Sequence, residues 1–260
     1  MFVNSLKNHK QHIDSHSHLS FLCDQNEELV DQNLEDFIYV QGGYNLSDFR
    51  IQVDFLKKLK HPIVPCLGLH PWHVNGLDPE QLIKEFLNLE NEWSLFSEGL
   101  ILLGETGLDS SIKNCNLENQ MHSFRRHLEF SRQKGAPLVL HVVQSHGPAL
   151  AELKSSGDRG IVHGFSGSTD VAESYIKKGF LISIGPNVLK DNFKKLITAV
   201  QELSIDHMTL ESDWPDHQKS DESSKVSIRK VAERVAELKG LETEQVLQTC
   251  SDNFRHLLDK

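Results

Sequence analysis

Eight short, mostly apolar runs punctuate the chain, each stopped by a glycine or a polar residue. They cover 12–18, 37–40, 63–67, 100–103, 138–143, 161–163, 180–184 and 208–210. Most are apolar throughout rather than alternating, as expected of strands buried on both faces of a parallel sheet. The intervals carry a different period. In 78–96, Leu82, Phe86, Leu89 and Trp93 recur at helical spacing behind the start signal Asp78-Pro79. In 118–134, Met121, Phe124 and Leu128 mark one face, and Gly135 and Pro137 end the helix. Segments 146–156, 169–178 and 191–203 fit the same scheme. Two amphipathic stretches close the chain, 224–239 on Val231, Val235 and Leu238, and 243–259 on Val246, Leu247, Phe254 and Leu257.

Eight alternations of strand and helix imply a closed barrel or a wide doubly wound sheet. No glycine-rich phosphate loop follows the first run, which counts against the dinucleotide-binding version. There is no internal repeat, low-complexity tract or linker; the longest polar stretch, Asp216 to Lys225, reads as a loop after strand eight. The expectation is a (β/α)₈ TIM barrel filling residues 1–260 as a single domain, a size such barrels commonly have.

Composition adjusts this picture in three ways. The formal net charge of −10 opposes nonspecific attraction to a phosphate backbone, although bound divalent cations would invert that field locally. The cysteines, Cys23, Cys66, Cys115 and Cys250, form no C-x-x-C pair and read as reduced core thiols of a cytoplasmic protein. The first residues lack the apolar stretch of a signal peptide, and no run approaches membrane-spanning length. A monomer is favoured. Histidine is the outlier, with 15 copies.

Their positions matter more than their number. His16 and His18 end strand one, Glu105 ends strand four, His141 lies on strand five, His163 ends strand six and Asp213 follows strand eight. In a (β/α)₈ barrel all those strand ends meet at one mouth, where active sites form. Side chains two apart on a strand face the same way, so His16 and His18 would crowd one inward surface. Two unpaired buried imidazoles are costly, and a cation satisfies both. Four imidazoles and two carboxylates suit zinc or another first-row divalent ion, and six donors suit two ions sharing a carboxylate. By contrast, His61, His122, His127 and His256 read as surface or partly buried helix residues. Asp14 reads as structural, beneath the metals.

At these residues the chain resembles the TatD family of metal-dependent hydrolases, within the amidohydrolase-like barrels. Ile13-Asp14-Ser15-His16-Ser17-His18-Leu19 is similar to the family's opening H-x-H motif, and Gly68-Leu69-His70-Pro71 to its G-[IL]-H-P motif. Leu103 to Asp109 is similar to G-E-x-G-L-D, Pro137 to His141 to P-[VLI]-x-[IVL]-H, Val162 to Ser168 to H-x-F-S-G, and Glu211 to Pro215 to E-[TS]-D-x-P. Gln120, Phe124 and Leu128, and the closing Asn253-Phe254 to Leu258, fit as well.

The resemblance implies two divalent metal ions, zinc first, with magnesium or manganese as the other candidates. His16, His18 and Asp213 would hold one ion, His141 and His163 the other, with Glu105 bridging. It implies hydrolysis by an activated water whose proton passes to Glu105 or Asp213, with His70 as a substrate contact and His73 a weaker candidate beside it. DNA is the implied substrate, cleaved as a deoxyribonuclease, 3′–5′ exonucleolysis included. Three departures alter the substrate side. Val142-Val143 stands where the family has Ser-Arg, Ser110 where it has Tyr, and Trp214 where a small residue is common. Loss of a phosphate-clamping arginine keeps open the hydrolysis of a small amide, ester or lactone.

Overall fold

The structure is a computed structural model that describes residues 11–22, 37–56, 58–59, 62–96, 102–215 and 228–259. Cys23, His61, the first ten residues and the stretch 216–227 lie outside the described residues. Strand β1 (His12–Ser17) pairs in parallel with β2 (Phe37–Gln41), and β2 with β3 (Ile63–Val64). From β4 (Cys66–Leu67) the ladder continues through β5 (Leu102–Asp109), β6 (Leu138–Val143), β7 (Gly160–His163) and β8 (Phe180–Ile184) to β9 (Met208–Leu210), every pair parallel.

β3 and β4 are the two halves of the third expected strand. Pro65 between them has no N–H to donate. Its carbonyl instead accepts from Leu102 N at 3.1 Å, joining the strand to β5. At the other seam, Asp213 N donates to His16 O (3.0 Å) and His18 N to Trp214 O (2.8 Å), tying the segment after β9 to the end of β1. The architecture is the (β/α)₈ TIM barrel that the alternation of runs predicts.

The outer ring comprises α1 (Leu46–Leu56), the single turn α2 (Pro71–Val74), α3 (Pro79–Leu95), α4 (Leu117–Lys134), α5 (His146–Glu152), α6 (Thr169–Ile176), α7 (Lys194–Glu202), α8 (Ile228–Lys239) and α9 (Thr243–Leu258). Asp78 and Gln81 form a reciprocal capping box at the start of α3, and Gly135 ends α4 at φ +65°. α5 stops four residues short of the expected 156. The buried Asp158 carboxylate takes the Lys154 N–H at 2.6 Å and the Arg132 guanidinium at 2.7 and 2.8 Å, drawing the chain out of the helix. Helix α1 was not among the expected ones, although Leu46, Phe49 and Val53 share a face that buries Leu46 and Phe49.

The barrel is filled by Ile13, Ile38, Val40, Val64, Cys66, Leu102, Val139 and Ile161, and α9 seals its floor with Phe254 and Leu257. His127 departs from the surface or partly buried place expected of it. It is fully buried on α4, where Nε2 accepts from Leu69 N (3.2 Å) and Nδ1 donates to Ser123 O (2.8 Å), so both ring nitrogens are satisfied inside the core. His122 and His256 are exposed, as expected. Among the described residues no helix is long and apolar enough to cross a membrane.

Candidate metal centre

Every expected donor arrives at the mouth, and two of them through ladder irregularities. The β1–β2 register shifts between Asp14 and Ser17, and the β5–β6 register between Gly104 and Thr106. These breaks contain His16 and Glu105, whose side chains they re-aim. His141 and His163 are register partners on β6 and β7, which sets their imidazoles side by side. Asp213 has φ +51°, a left-handed conformation that Asp tolerates better than most residues, and it turns the carboxylate back over β1. Gly42, after β2, has to be a glycine. A Cβ there would lie 2.4 Å from the His18 ring, 2.6 Å from Glu105 Oε1 and 2.7 Å from the His16 ring.

The spacing of the donor atoms tests whether a cation fits. Metal–ligand bonds of ~2.1 Å at tetrahedral angles put two donors on one ion ~3.4 Å apart. His18 Nε2 lies 3.4 Å from Asp213 Oδ1, His16 Nε2 3.6 Å from Glu105 Oε2 and 3.8 Å from Asp213 Oδ1, and His18 Nε2 3.9 Å from Glu105 Oε1. These distances are long for hydrogen bonds and suited to donors around one ion. Both ring nitrogens of His16, Nδ1 of His163 and Glu105 Oε1 are buried with no hydrogen-bond partner, which is costly unless something else satisfies them.

A second grouping surrounds Oε2 of Glu105, the oxygen that His16 Nε2 also approaches. His70 Nε2 and His141 Nδ1 lie 3.6 and 3.7 Å from Oε2. His163 Nε2 is closer, 2.8 Å from Oε2 and 2.9 Å from His141 Nδ1, so that it is held by hydrogen bonds. Glu105 is therefore the common neighbour of both groupings. His70, expected to touch substrate, stands beside this grouping with Nδ1 taken by the Trp72 N–H (3.0 Å) and Nε2 turned to Glu105. His73 is set apart: it faces Glu85 at 4.0 Å and Tyr44, outside the cleft.

The electrostatics keep two of the imidazoles neutral and charge a third. Burial, with the His141 ring beside His70 and the His163 ring beside His16, holds His70 and His16 well below the usual imidazole range, so both are neutral; His70 Nδ1 accepts the Trp72 N–H at 3.0 Å, which leaves the His70 proton on Nε2. Burial alone would lower His163, but the adjoining Glu105 carboxylate outweighs it and lifts the ring to about 9. Burial opposes the charge on Asp213, yet its contact with His18 holds it down at about 2. Asp14 and Glu211 sit lower in the mouth, and burial pushes each up to about 7. Asp14 Oδ1 accepts from Ser212 N (2.9 Å), which anchors the segment carrying Asp213 to β1. Glu211 accepts from Gly164 N (2.6 Å) and from Ser183 Oγ.

Above the donors opens a cleft of about 440 Å³, lined by His18, Tyr44, His70, Trp72, Glu105, His141, His163 and Asp213. Neither lysine nor arginine is among those lining residues. Tyr44 and Trp72 were not singled out from sequence. Trp72 directly follows the Gly68–Pro71 motif that carries His70, so adjacency was the available signal; Tyr44 had only its place after Gly42-Gly43. Asp109 was quoted within a motif but given no role, although His141 Nε2 lies 3.3 Å from its carboxylate. The arrangement can hold divalent cations beside an open, partly aromatic cleft with a carboxylate at its edge.

Comparison with known proteins agrees. Residues 13–259 match the family model described as TatD related DNase. The human protein named deoxyribonuclease TATDN3 is 26% identical, the match covering 95% of this chain and 97% of that one. The Escherichia coli metal-dependent hydrolase YcfH is 27% identical, covering 94% of each chain. The crystal structure of YJJV, a TatD homologue from Escherichia coli, superimposes with a TM-score of 0.79 at 22% identity, over 95% of this chain and 97% of that one.

Proposed function

The chain belongs to the TatD related DNase family and is a metal-dependent hydrolase; from that premise we propose that it cleaves phosphodiester bonds in DNA, working from the 3′ end, with two divalent ions held at the mouth of its barrel. The observation that carries this reading is the central Glu105, which neighbours both donor groupings at once: Oε1 faces His18, and Oε2 faces His16, His70, His141 and His163. His16, His18 and Asp213 would hold one ion and His141 and His163 the other, with Glu105 between them and His70 beside the second. When bound, the ions would polarise the attacked ester and acidify a water near them. Zinc suits the imidazole-rich donor set best.

The protein's own groups divide the remaining work. Asp213 is the proton acceptor. Its side chain is 43% exposed, against 2% for Glu105, so only Asp213 can reach a water in the cleft without displacing imidazoles. Its low pKa keeps it ionised across the physiological range. Glu105 instead supplies negative charge that neutralises the crowded cations from below. Tyr44, His70 and Trp72 form one wall, where flat rings can pack against a nucleobase.

A second reading has one specific observation behind it. Val143 occupies the place of the family's arginine, and neither lysine nor arginine lines the cleft among the described residues. That favours a small uncharged amide, ester or lactone over a polyanion.

One experiment separates the two. The purified protein is assayed for metal content, then for turnover of end-labelled single-stranded DNA and of a panel of amides, esters and lactones, each with and without chelator. Chelator-sensitive release of 3′-terminal nucleotides, reduced about 10²–10⁴-fold in Asp213→Asn, is the expected result. Turnover confined to the carbonyl panel would replace DNA with a small substrate, and DNA cleavage unaffected by chelator would overturn the metal mechanism.

A further inference from the structure

Asp109 closes β5 four residues beyond Glu105, is almost fully buried, and belongs to no donor grouping. Its carboxylate is nevertheless saturated. Oδ1 accepts from the Ser111 N–H (2.9 Å) and hydroxyl (2.5 Å). Oδ2 accepts from the Trp72 indole N–H at 2.7 Å and stands 3.3 Å from His141 Nε2. A carboxylate is an acceptor only, so with Asp109 ionised the facing nitrogen of His141 has to carry the proton. The other nitrogen, Nδ1, then keeps its lone pair, and that is the atom turned toward Glu105 and His163. Ring orientation and proton position are thus both fixed from outside the donor set. The same oxygen pins the indole of Trp72, which lies edge-on to both His70 and His141 at the wall of the cleft.

We propose that Asp109 is a positioning residue: through one carboxylate oxygen it presents His141 Nδ1 to the second cation position and locks the Trp72 wall of the cleft to that same ring. The proposal rests on the metal reading above and adds a residue to it. A carboxylate behind a ligating imidazole fixes its tautomer and raises its basicity, and losing such a partner typically weakens metal binding about 10–100-fold. Trp72 and Ser111 also bond Asp109, so two controls isolate the His141 contact. Trp72→Phe removes the indole donor and Ser111→Ala the hydroxyl donor, and each leaves the His141 contact in place.

The test titrates the chelator-stripped protein with cobalt(II) and follows its visible absorption, which reads binding without turnover. The unaltered protein is expected to take up two equivalents. Asp109→Ala should weaken the second equivalent about 10–100-fold and leave the first within about twofold, whereas Trp72→Phe and Ser111→Ala should bind both as the unaltered protein does. Nitrogen-15 spectra of the unaltered, metal-free protein at pH 8 give a measurement that needs no variant: His141 is expected as the Nε2–H tautomer. Wild-type affinity for both equivalents in folded Asp109→Ala, equal weakening of both, or an Nδ1–H tautomer at His141 would each overturn the role of Asp109 alone. A protein that takes up no cobalt would remove the metal reading and this one with it.

Discussion

The two ends of the barrel solve the problem of burial in opposite ways. At the floor, Phe254 and Leu257 of α9 press into a layer of Ile, Val and Leu side chains, and nearby backbone donors find partners, as when Ile13 N donates to Ser251 Oγ at 2.9 Å. At the mouth, the equally buried His16 has two ring nitrogens with no hydrogen bond, and Glu105 an oxygen with none. Apolar burial at the floor stabilises the fold by about 25 cal/mol per Å². Unsatisfied polar burial at the mouth opposes it. The lesson is that one end is built for stability and the other is held open by it, as expected where a site is assembled at the expense of local stability.

The largest expected effect comes from making the mouth resemble the floor. His16→Leu removes two orphaned polar atoms and supplies an apolar side chain of similar size. Loss of a Lewis-acid position costs several kcal/mol of barrier, on the order of 10³-fold in kcat/KM. In chelator, however, the variant should unfold at an unchanged or higher urea concentration, because a buried unsatisfied group costs about 1–3 kcal/mol. A variant as inactive as expected but markedly less stable without metal would break the contrast, since His16 would then be stabilising in its own right.

The converse substitution is Phe254→Ala at the floor. Removing a fully buried phenyl ring costs about 3–5 kcal/mol, including the cavity it leaves. Activity per folded molecule should stay within about twofold, since the ring lies at the opposite end from every donor. Urea unfolding and active-site titration on the same sample check both halves.

How much of this contrast was legible beforehand follows from what kind of signal each residue leaves. The strands were visible because parallel strands buried on both faces are continuously apolar, and the mouth because polar His16, His18, Glu105, His141, His163 and Asp213 interrupt or follow those runs. The break at Pro65 was not foreseen, although its missing N–H was in plain view. The register shifts that aim His16 and Glu105 were not legible at all, because a bulge is a relation between two strands and leaves no period in either one. Gly42-Gly43 read as a strand stop. Their actual role, Gly42 leaving room for His16, His18 and Glu105 and Gly43 for the Gly104 backbone, depends on residues far apart in sequence. His127 misled for the same reason, since the partner that makes its burial tolerable, Leu69 N, is 58 residues away.

His127, buried on α4 of the outer ring, gives the next effect in size. Burial lowers its pKa from 6.5 to about 4, so the folded protein keeps it neutral while the unfolded chain protonates it. Between those values the unfolded state binds the extra proton. Its contribution is therefore fully retained above about pH 6.5 and is lost as pH falls toward 4, about 3 kcal/mol in all. His127→Gln cannot take up that proton. The difference in unfolding free energy between pH 7 and pH 4.5 should accordingly shrink in the variant, and an identical difference in both proteins would mean that His127 is charged in the core or reached by water.

The smallest effect tests whether the contrast belongs to the two ends or to stability at large. Asp78 caps α3 on the outer ring; its side chain accepts from Gln81 N at 2.8 Å, while the Gln81 side chain accepts from Asp78 N at 2.9 Å. Asp78→Ala removes one half of that exchange and should lower stability by about 1 kcal/mol. Because α3 contributes no side chain to the cleft, kcat and KM should both remain at wild-type values. If so, a modest loss of global stability does not reach the donors, and the activity lost in His16→Leu is a local consequence of the missing imidazole. If this distant cap instead lowered kcat, the donors would depend on the tension of the whole barrel, and floor and mouth would have to be treated as one mechanical unit.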